Sequence, residues 1–110
     1  ALPMTCCWLA KSRAALGADV PLIGMNGART GNDVLRMILA GAHAVEISSA
    51  VFTNGFGVLA DAVKTVESYL ANRDQNTMEI VGRAADRVVS FSGLPQRPGF
   101  WEQFVPPEAL

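Results

Sequence analysis

The apolar positions of this chain switch repeatedly between helical and strand periods. Leu2, Cys6, Leu9 and Ala10 or Arg13 recur at three-to-four-residue spacing, which predicts a helix over Pro3–Leu16 with Pro3 in its first turn and Gly17 as its stop. Ala18 to Pro21 then form a short loop. Val20, Leu22 and Ile23 make a short continuous apolar run around Pro21, the mark of a strand buried on both faces that begins where a missing N–H does least harm. Gly24-Met25-Asn26-Gly27 ends that strand. Thr30 or Asn32 caps a second helix that carries Asp33 in its first turn, the stripe Val34, Leu35, Ile38, Leu39, Ala42, and Gly41 as its terminator.

A second strand is predicted over Ala44–Ala50. Period two places Ala44, Glu46 and Ser48 on one face and Val45, Ile47 and Ser49 on the other. After a loop over Phe52–Gly57, the cleanest helical spacing in the chain covers Val58–Asn72, with Val58, Leu59, Ala62, Val63, Val66, Tyr69 and Leu70 on one side. Arg73 to Asn76 read as polar linker, Thr77 as the N-cap of a short helix over Met78–Val89, and Pro95, Pro98, Pro106 and Pro107 exclude regular structure from the tail.

Pro21–Gly55 is therefore the sequence form of a βαβ crossover whose polar strand ends open on one rim of a parallel sheet, where α/β folds bind ligands. Two strands cannot make a sheet that buries both faces, so this α/β chain needs strands it does not contain. The order helix, strand, helix, strand, helix fits the C-terminal portion of a (β/α)8 TIM barrel, the last two βα units with the preceding helix, over residues 1–92. Residues 93–110 form a Pro- and aromatic-rich tail. A doubly wound sheet gives the same local pattern. The tail's Phe100-Trp101-Glu102-Gln103-Phe104 is too aromatic for free solvation and is expected to pack on the parent body or on a partner subunit, a second copy included, with a disordered end as the other reading.

Composition points the same way. Of 110 residues, 50% are apolar and 17% charged, against roughly 25% charged in an average soluble domain. Together with an initial Ala1, this is expected of a segment whose faces are covered by a larger body. Nine Lys and Arg against ten Asp and Glu give no basic footprint for nucleic acid and no polybasic membrane patch. No apolar run approaches the ~20 residues of a membrane span and no signal peptide opens the chain, so a cytoplasmic setting is the default. Adjacent Cys6 and Cys7 diverge on a helix and cannot pair with each other in ordinary geometry. They read as reduced, mostly buried side chains, and no metal site is expected.

The candidate chemistry lies at the strand ends. The Asn26-Gly27 turn offers a left-handed conformation and close backbone approach, and Ser48-Ser49 offers approachable backbone with two hydroxyls. On these residues alone, a phosphate site and a plain strand-end turn both remain open. Glu46, the only charge in a predicted strand, reads as a salt-bridged or hydrogen-bonded lining residue before a catalytic acid; His43 reads as a capping or surface residue; Trp8 and Trp101 read as packing groups.

PLIGMNGARTGNDVLRMILAGAHAVEISSAVFTNG, followed by a helix ending ESYLANR, resembles the C-terminal end of the dihydroorotate dehydrogenase family, including the flavin domain of dihydropyrimidine dehydrogenases. Gly24, Gly27, the AGA of Ala40–Ala42 and the SAV of Ser49–Val51 fall into register, and Thr77–Ala84 resembles the segment after the last barrel helix. The resemblance implies an FMN-dependent barrel that oxidises dihydroorotate or reduces a related pyrimidine. It places the FMN phosphate on the backbone N–H groups of Asn26, Gly27, Ser48 and Ser49. It also implies that the base, the flavin-contacting lysine and the pyrimidine-holding asparagines lie upstream, so the chain carries no catalytic residue and is inactive by itself. Two positions depart from the pattern: Asn26 stands where glycine is usual, and Ser48 where glycine or cysteine is common. The FMN α-hydroxyacid oxidases and inosinate dehydrogenases have similar turns, towards which Arg29-Thr30-Gly31 with Asp33 leans. The oxidases follow their last strand with a Gly-Arg pair, where this chain has Ser48-Ser49. A stand-alone α/β assembly module without flavin is the reading from a different class.

Overall fold

The structure, a computed structural model, describes residues 1–88 and 98–109. Helix α1 (Leu2–Leu16) starts with Pro3 in its first turn and ends at Gly17, whose φ of 94° only glycine adopts freely. Strand β1 (Ile23–Gly24) pairs in parallel with β2 (Ala44–Val45), Ile23 opposite Ala44 and Gly24 opposite Val45. Beyond those pairs, the N–H of His43 donates to the Leu22 carbonyl and that of Glu46 to the Gly24 carbonyl, both at 2.8 Å. Between the strands runs α2 (Gly31–Ala40).

The second strand is shorter than its sequence pattern predicts. Ser49–Asn54 is a helix, α3, with Ser48 as N-cap, and it takes up the first half of the loop expected over Phe52–Gly57. Among the described residues the chain beyond Glu46 has no further strand partner, and the N–H groups of Val51 and Phe52 turn back to the Ser48 carbonyl. Helix α4 (Gly57–Arg73) follows, and Asp74 ends it in the left-handed region at φ 50°.

Thr30, rather than Asn32, caps α2. Its hydroxyl accepts from the Asp33 N–H at 3.3 Å, while the Asp33 carboxylate accepts from the N–H groups of Arg29 (3.0 Å) and Thr30 (3.2 Å). Partial burial pushes the Asp33 carboxyl up, but these N–H groups, the Thr30 hydroxyl and Arg36 outweigh it and hold the group below its usual range. A depressed folded value stabilises above the unfolded value of about 3.9 and is lost as pH falls through the folded value. Asp33→Ala is therefore expected to cost about 1 kcal/mol at neutral pH, a gap that closes only below about pH 4. Urea denaturation of the full-length protein across that range checks it.

Two buried clusters share α2. Leu9, Ala28, Met37, Ala40 and Ala42 fill the space between α1 and α2, and Leu35, Ile38, Ile80 and Val81 join α2 to α4 and to the chain after it. That later segment corrects the helix expected over Met78–Val89, of which Val89 lies outside the described residues. Helix α5 covers only Thr77–Ile80, and its cap is Asn76, in a reciprocal box with Glu79. Gly82 then turns the chain at φ 73°, where a side chain would collide with Arg13. From there the Gly82 N–H donates to the Ile38 carbonyl (2.9 Å) and that of Ala84 to Leu39 (3.0 Å), satisfying the last turn of α2. Asp86 receives a two-pronged contact from Arg13 at 2.8 and 3.1 Å. Residues 76–88 thus form a strap across the ends of α1 and α2.

Among the described tail residues, Phe100–Phe104 and Pro107–Ala109 are short 3-10 turns, so the prolines there permit single turns where no regular structure is expected. Pro95 lies outside the described residues, and so does the side chain of Trp101.

The helices leave one face of the sheet bare. Gly24 is buried against Ala42, Met37 and Leu9, and Val45 and Ile47 pack on the helical clusters. On the opposite face Ile23 (63% exposed), Met25 (53%), Ala44 and Glu46 are uncovered. The strand expected to be buried on both faces is buried on one, because none of the described residues covers the other.

Candidate functional site

Where the turn after β1 meets the end of β2, a pocket of ≈ 250 Å³ opens on the rim of the sheet. Asn26, Gly27, Arg29, Glu46, Ser48 and Ser49 all line it, with Ala28 between the first two turn residues and Arg29. Two larger concavities are lined mainly by apolar side chains, one of ≈ 760 Å³ between α1, α2 and residues 84–88, the other of ≈ 380 Å³ between α2, β2 and α4. Of these three, the strand-end pocket gathers several polar groups on backbone that a ligand can approach closely, which makes it the candidate site.

Sequence determines its shape. Asn26 sits at φ 71° and Gly27 at φ 116°, two consecutive left-handed residues that fold the chain back from β1 into α2. The Thr5 hydroxyl of α1 donates to the Asn26 carbonyl at 2.7 Å. Peptide planarity then directs the Gly27 N–H away from α1. A Cβ on Gly27 would come within 2.7 Å of the Leu2 nitrogen, so glycine is also what lets α1 start against the turn. No described residue accepts a hydrogen bond from the backbone N–H of Gly27, Ala28, Ser48 or Ser49. Uncommitted N–H groups, two serine hydroxyls and the Arg29 guanidinium form a donor set suited to an anion.

All four strand-end residues singled out in the sequence, Asn26, Gly27, Ser48 and Ser49, meet in this pocket. Glu46 joins them, exposed and without an ion-pair partner among the described residues. His43 is half-buried beside the sheet, where its Nδ1 accepts from the Leu22 N–H at 3.1 Å and fixes the entry of β1. Cys6 and Cys7 are free and line the large apolar concavity instead; Cys6 is half-buried, with burial pushing its thiol up, but Cys7 is exposed, contrary to expectation. Trp8 is 64% exposed with Lys11 stacked 5.6 Å from its ring centre, so it is not the packing group expected. Sequence reasoning passed over Thr5, whose contact spans 21 residues and leaves no local signal. Among the described residues no His, Cys, Asp and Glu cluster could hold a metal ion, and no helix is long and apolar enough to cross a membrane.

Fold and pocket together define an α/β protein of parallel βα units with a polar, donor-rich recess at its strand ends. The chain belongs to the dihydroorotate dehydrogenase family, whose model matches residues 4–70. That stretch contains the whole of Pro21–Gly55 and stops short of Thr77–Ala84. The catalytic subunit of dihydroorotate dehydrogenase B (NAD(+)) from Pyrococcus furiosus is 37% identical over 67 residues, covering 60% of this chain and 22% of that protein. The same subunit from Desulforudis audaxviator is 44% identical over 69 residues, with the same 60% and 22% coverage. The crystal structure of a dihydroorotate dehydrogenase from Eimeria tenella in complex with ferulenol superposes with a TM-score of 0.71 at 23% identity, over 79% of this chain and 23% of that one. The α/β fold is thus that of a dihydroorotate dehydrogenase, in the TIM-barrel class, and the chain spans less than a quarter of the length of these relatives.

Proposed function

We propose that this chain is the C-terminal portion of an FMN-dependent oxidoreductase of the dihydroorotate dehydrogenase type, and that its part in the reaction is to anchor the cofactor. Residues 1–92 supply the last two βα units with their preceding helix, and residues 93–110 a tail that covers the body or a partner subunit. The remainder of the barrel packs on the bare face of the sheet, where exposed Ile23 and Met25 need cover. The setting is cytoplasmic, and the substrate a pyrimidine such as dihydroorotate. Family membership favours this reading over the α-hydroxyacid oxidase and inosinate dehydrogenase types and over a flavin-free module.

The observation that carries the proposal is the convergence of Asn26, Gly27, Ser48 and Ser49 on one pocket with their backbone donors uncommitted. The donor set fits a phosphate, and Asn26 already holds the left-handed turn, so its departure from glycine is accommodated. Bound FMN supplies the hydride acceptor. What these residues do is hold its phosphate and thereby fix where the flavin ring stands relative to groups contributed by the rest of the barrel. No residue of this chain is assigned as acid or base.

Titrating the full-length apoprotein with FMN and with riboflavin tests this. Several charge-assisted hydrogen bonds at ~1.5–3 kcal/mol each predict that FMN binds at least about a hundredfold more tightly than riboflavin, with orthophosphate competing against FMN. Equal affinities would refute the anchor.

A further inference from the structure

One group in the pocket is not explained by a phosphate. Glu46 lines the same recess as Gly27, Ser48 and Ser49. The residues on either side of it, Val45 and Ile47, pack into the helical clusters, so strand alternation turns Glu46 onto the bare face together with Ser48. The ion pairs among the described residues are Arg13–Asp86 and Arg36–Asp33, and neither involves it. An ionised carboxylate can only accept hydrogen bonds, and at a few ångströms it repels a phosphate by more than one hydrogen bond returns.

The pocket is therefore polarised along the segment that leads from β2 to α3. Its outer end, at Gly27, Ser48 and Ser49, donates; its inner end, at Glu46, accepts. Two residues of extended chain separate Glu46 from Ser48, about 6–7 Å. A ligand complementary to both ends carries a phosphate monoester and, one short step along its chain, neutral hydroxyl groups. A ligand with a second phosphate at that step would bring it against the carboxylate.

We propose that Glu46 is a positioning residue for the hydroxylated chain of a phosphomonoester ligand: it accepts hydrogen bonds from the ligand's hydroxyls and excludes a second phosphate. The ribityl phosphate of FMN has this chemistry, and a pyrophosphate-linked dinucleotide does not. The inference rests on the phosphate reading above and adds to it the direction in which the ligand lies and the class of ligand rejected.

The test uses the full-length apoprotein, unaltered and with Glu46→Leu or Glu46→Gln, and measures FMN affinity by quenching of flavin fluorescence with orthophosphate and pyrophosphate as competitors. Losing hydrogen bonds to a charged acceptor predicts that Glu46→Leu weakens FMN at least about tenfold. Orthophosphate, at the far end of the recess, binds no more weakly, and pyrophosphate gains more than orthophosphate does, because a charge facing its second phosphate is gone. Glu46→Gln keeps an acceptor, so it loses less FMN affinity while gaining for pyrophosphate as the Leu variant does. Unchanged FMN affinity in Glu46→Leu overturns the proposal, and so does a parallel loss of FMN and orthophosphate, the signature of a merely structural role. If orthophosphate fails to compete even in the unaltered protein, the phosphate reading falls and this inference with it.

Discussion

Gly27→Val is expected to weaken FMN binding by the full-length protein at least about a hundredfold. Two costs add at this position. Gly27 lies at φ 116°, where a β-branched residue is strained by about 1–2 kcal/mol or more. Its new Cβ would also stand 2.7 Å from the nitrogen and 2.8 Å from the Cα of Leu2, backbone atoms that cannot rotate aside. Overpacking of that kind costs a further 1–3 kcal/mol or so. Relief requires the turn to move away from α1, and the N–H groups of Gly27 and Ala28 move with it. Gly17→Val separates strain from function, because Gly17 has a similar φ of 94°, nothing within 4 Å of an added Cβ, and lies at the far end of α1. That control should lower the melting temperature and leave FMN affinity within about twofold. If Gly27→Val binds FMN like the parent protein, the turn is not the cradle.

The turn itself was legible because its conformation is a property of the residues in it: Asn followed by Gly tolerates two left-handed φ values with little help from elsewhere. The helices were legible for a related reason, since their stripes, such as Val58 to Leu70, repeat at the helical period whatever they pack on. Strand lengths were not. An Ala44–Ala50 strand needs a partner along its whole length, and among the described residues the ladder stops at Glu46, while Ser49–Asn54 satisfies its own backbone as helix. The path of the chain after α5 rests on an equally distant fact, the N–H groups of Gly82 and Ala84 donating to the Ile38 and Leu39 carbonyls of α2. The caps fall between these cases. Thr30 and Asn76 are each followed three residues later by an acid, Asp33 and Glu79, and that spacing distinguishes them from the neighbours Asn32 and Thr77. Of the pocket, the two turns were visible in sequence. The brace from Thr5 depends on α1 lying against the turn, which no local pattern encodes.

Ile80→Ala is expected to release the strap while leaving the pocket intact. Ile80 is fully buried with Leu35, Ile38 and Val81, against Val66, Tyr69 and Leu70 of α4. Truncating an isoleucine in such a site costs ~2–5 kcal/mol. Val81 shares that cluster and Arg83 donates to Gln75 at 3.2 Å, but Ile80 is the largest side chain that residues 76–88 bury. The Arg13–Asp86 pair is more than half exposed on the aspartate side, and pairs of that kind add little. The two backbone bonds from Gly82 and Ala84 to the Ile38 and Leu39 carbonyls lie directly after Ile80 in the chain and are expected to open with it. Loss should therefore appear as local opening, with amide exchange at Gly82 and Ala84 accelerated about a hundredfold or more, and much less change at the amides of α2 that bond within the helix. The strap grips the C-terminal end of α2, whereas the Asn26–Thr30 turn enters its N-terminal end, ten residues and so ~15 Å away. FMN affinity should stay within about twofold. Uniform acceleration across α2 and α4 would instead mean that Ile80 supports the shared core, and a fall in FMN affinity would mean that the two ends of α2 are coupled through the helix itself.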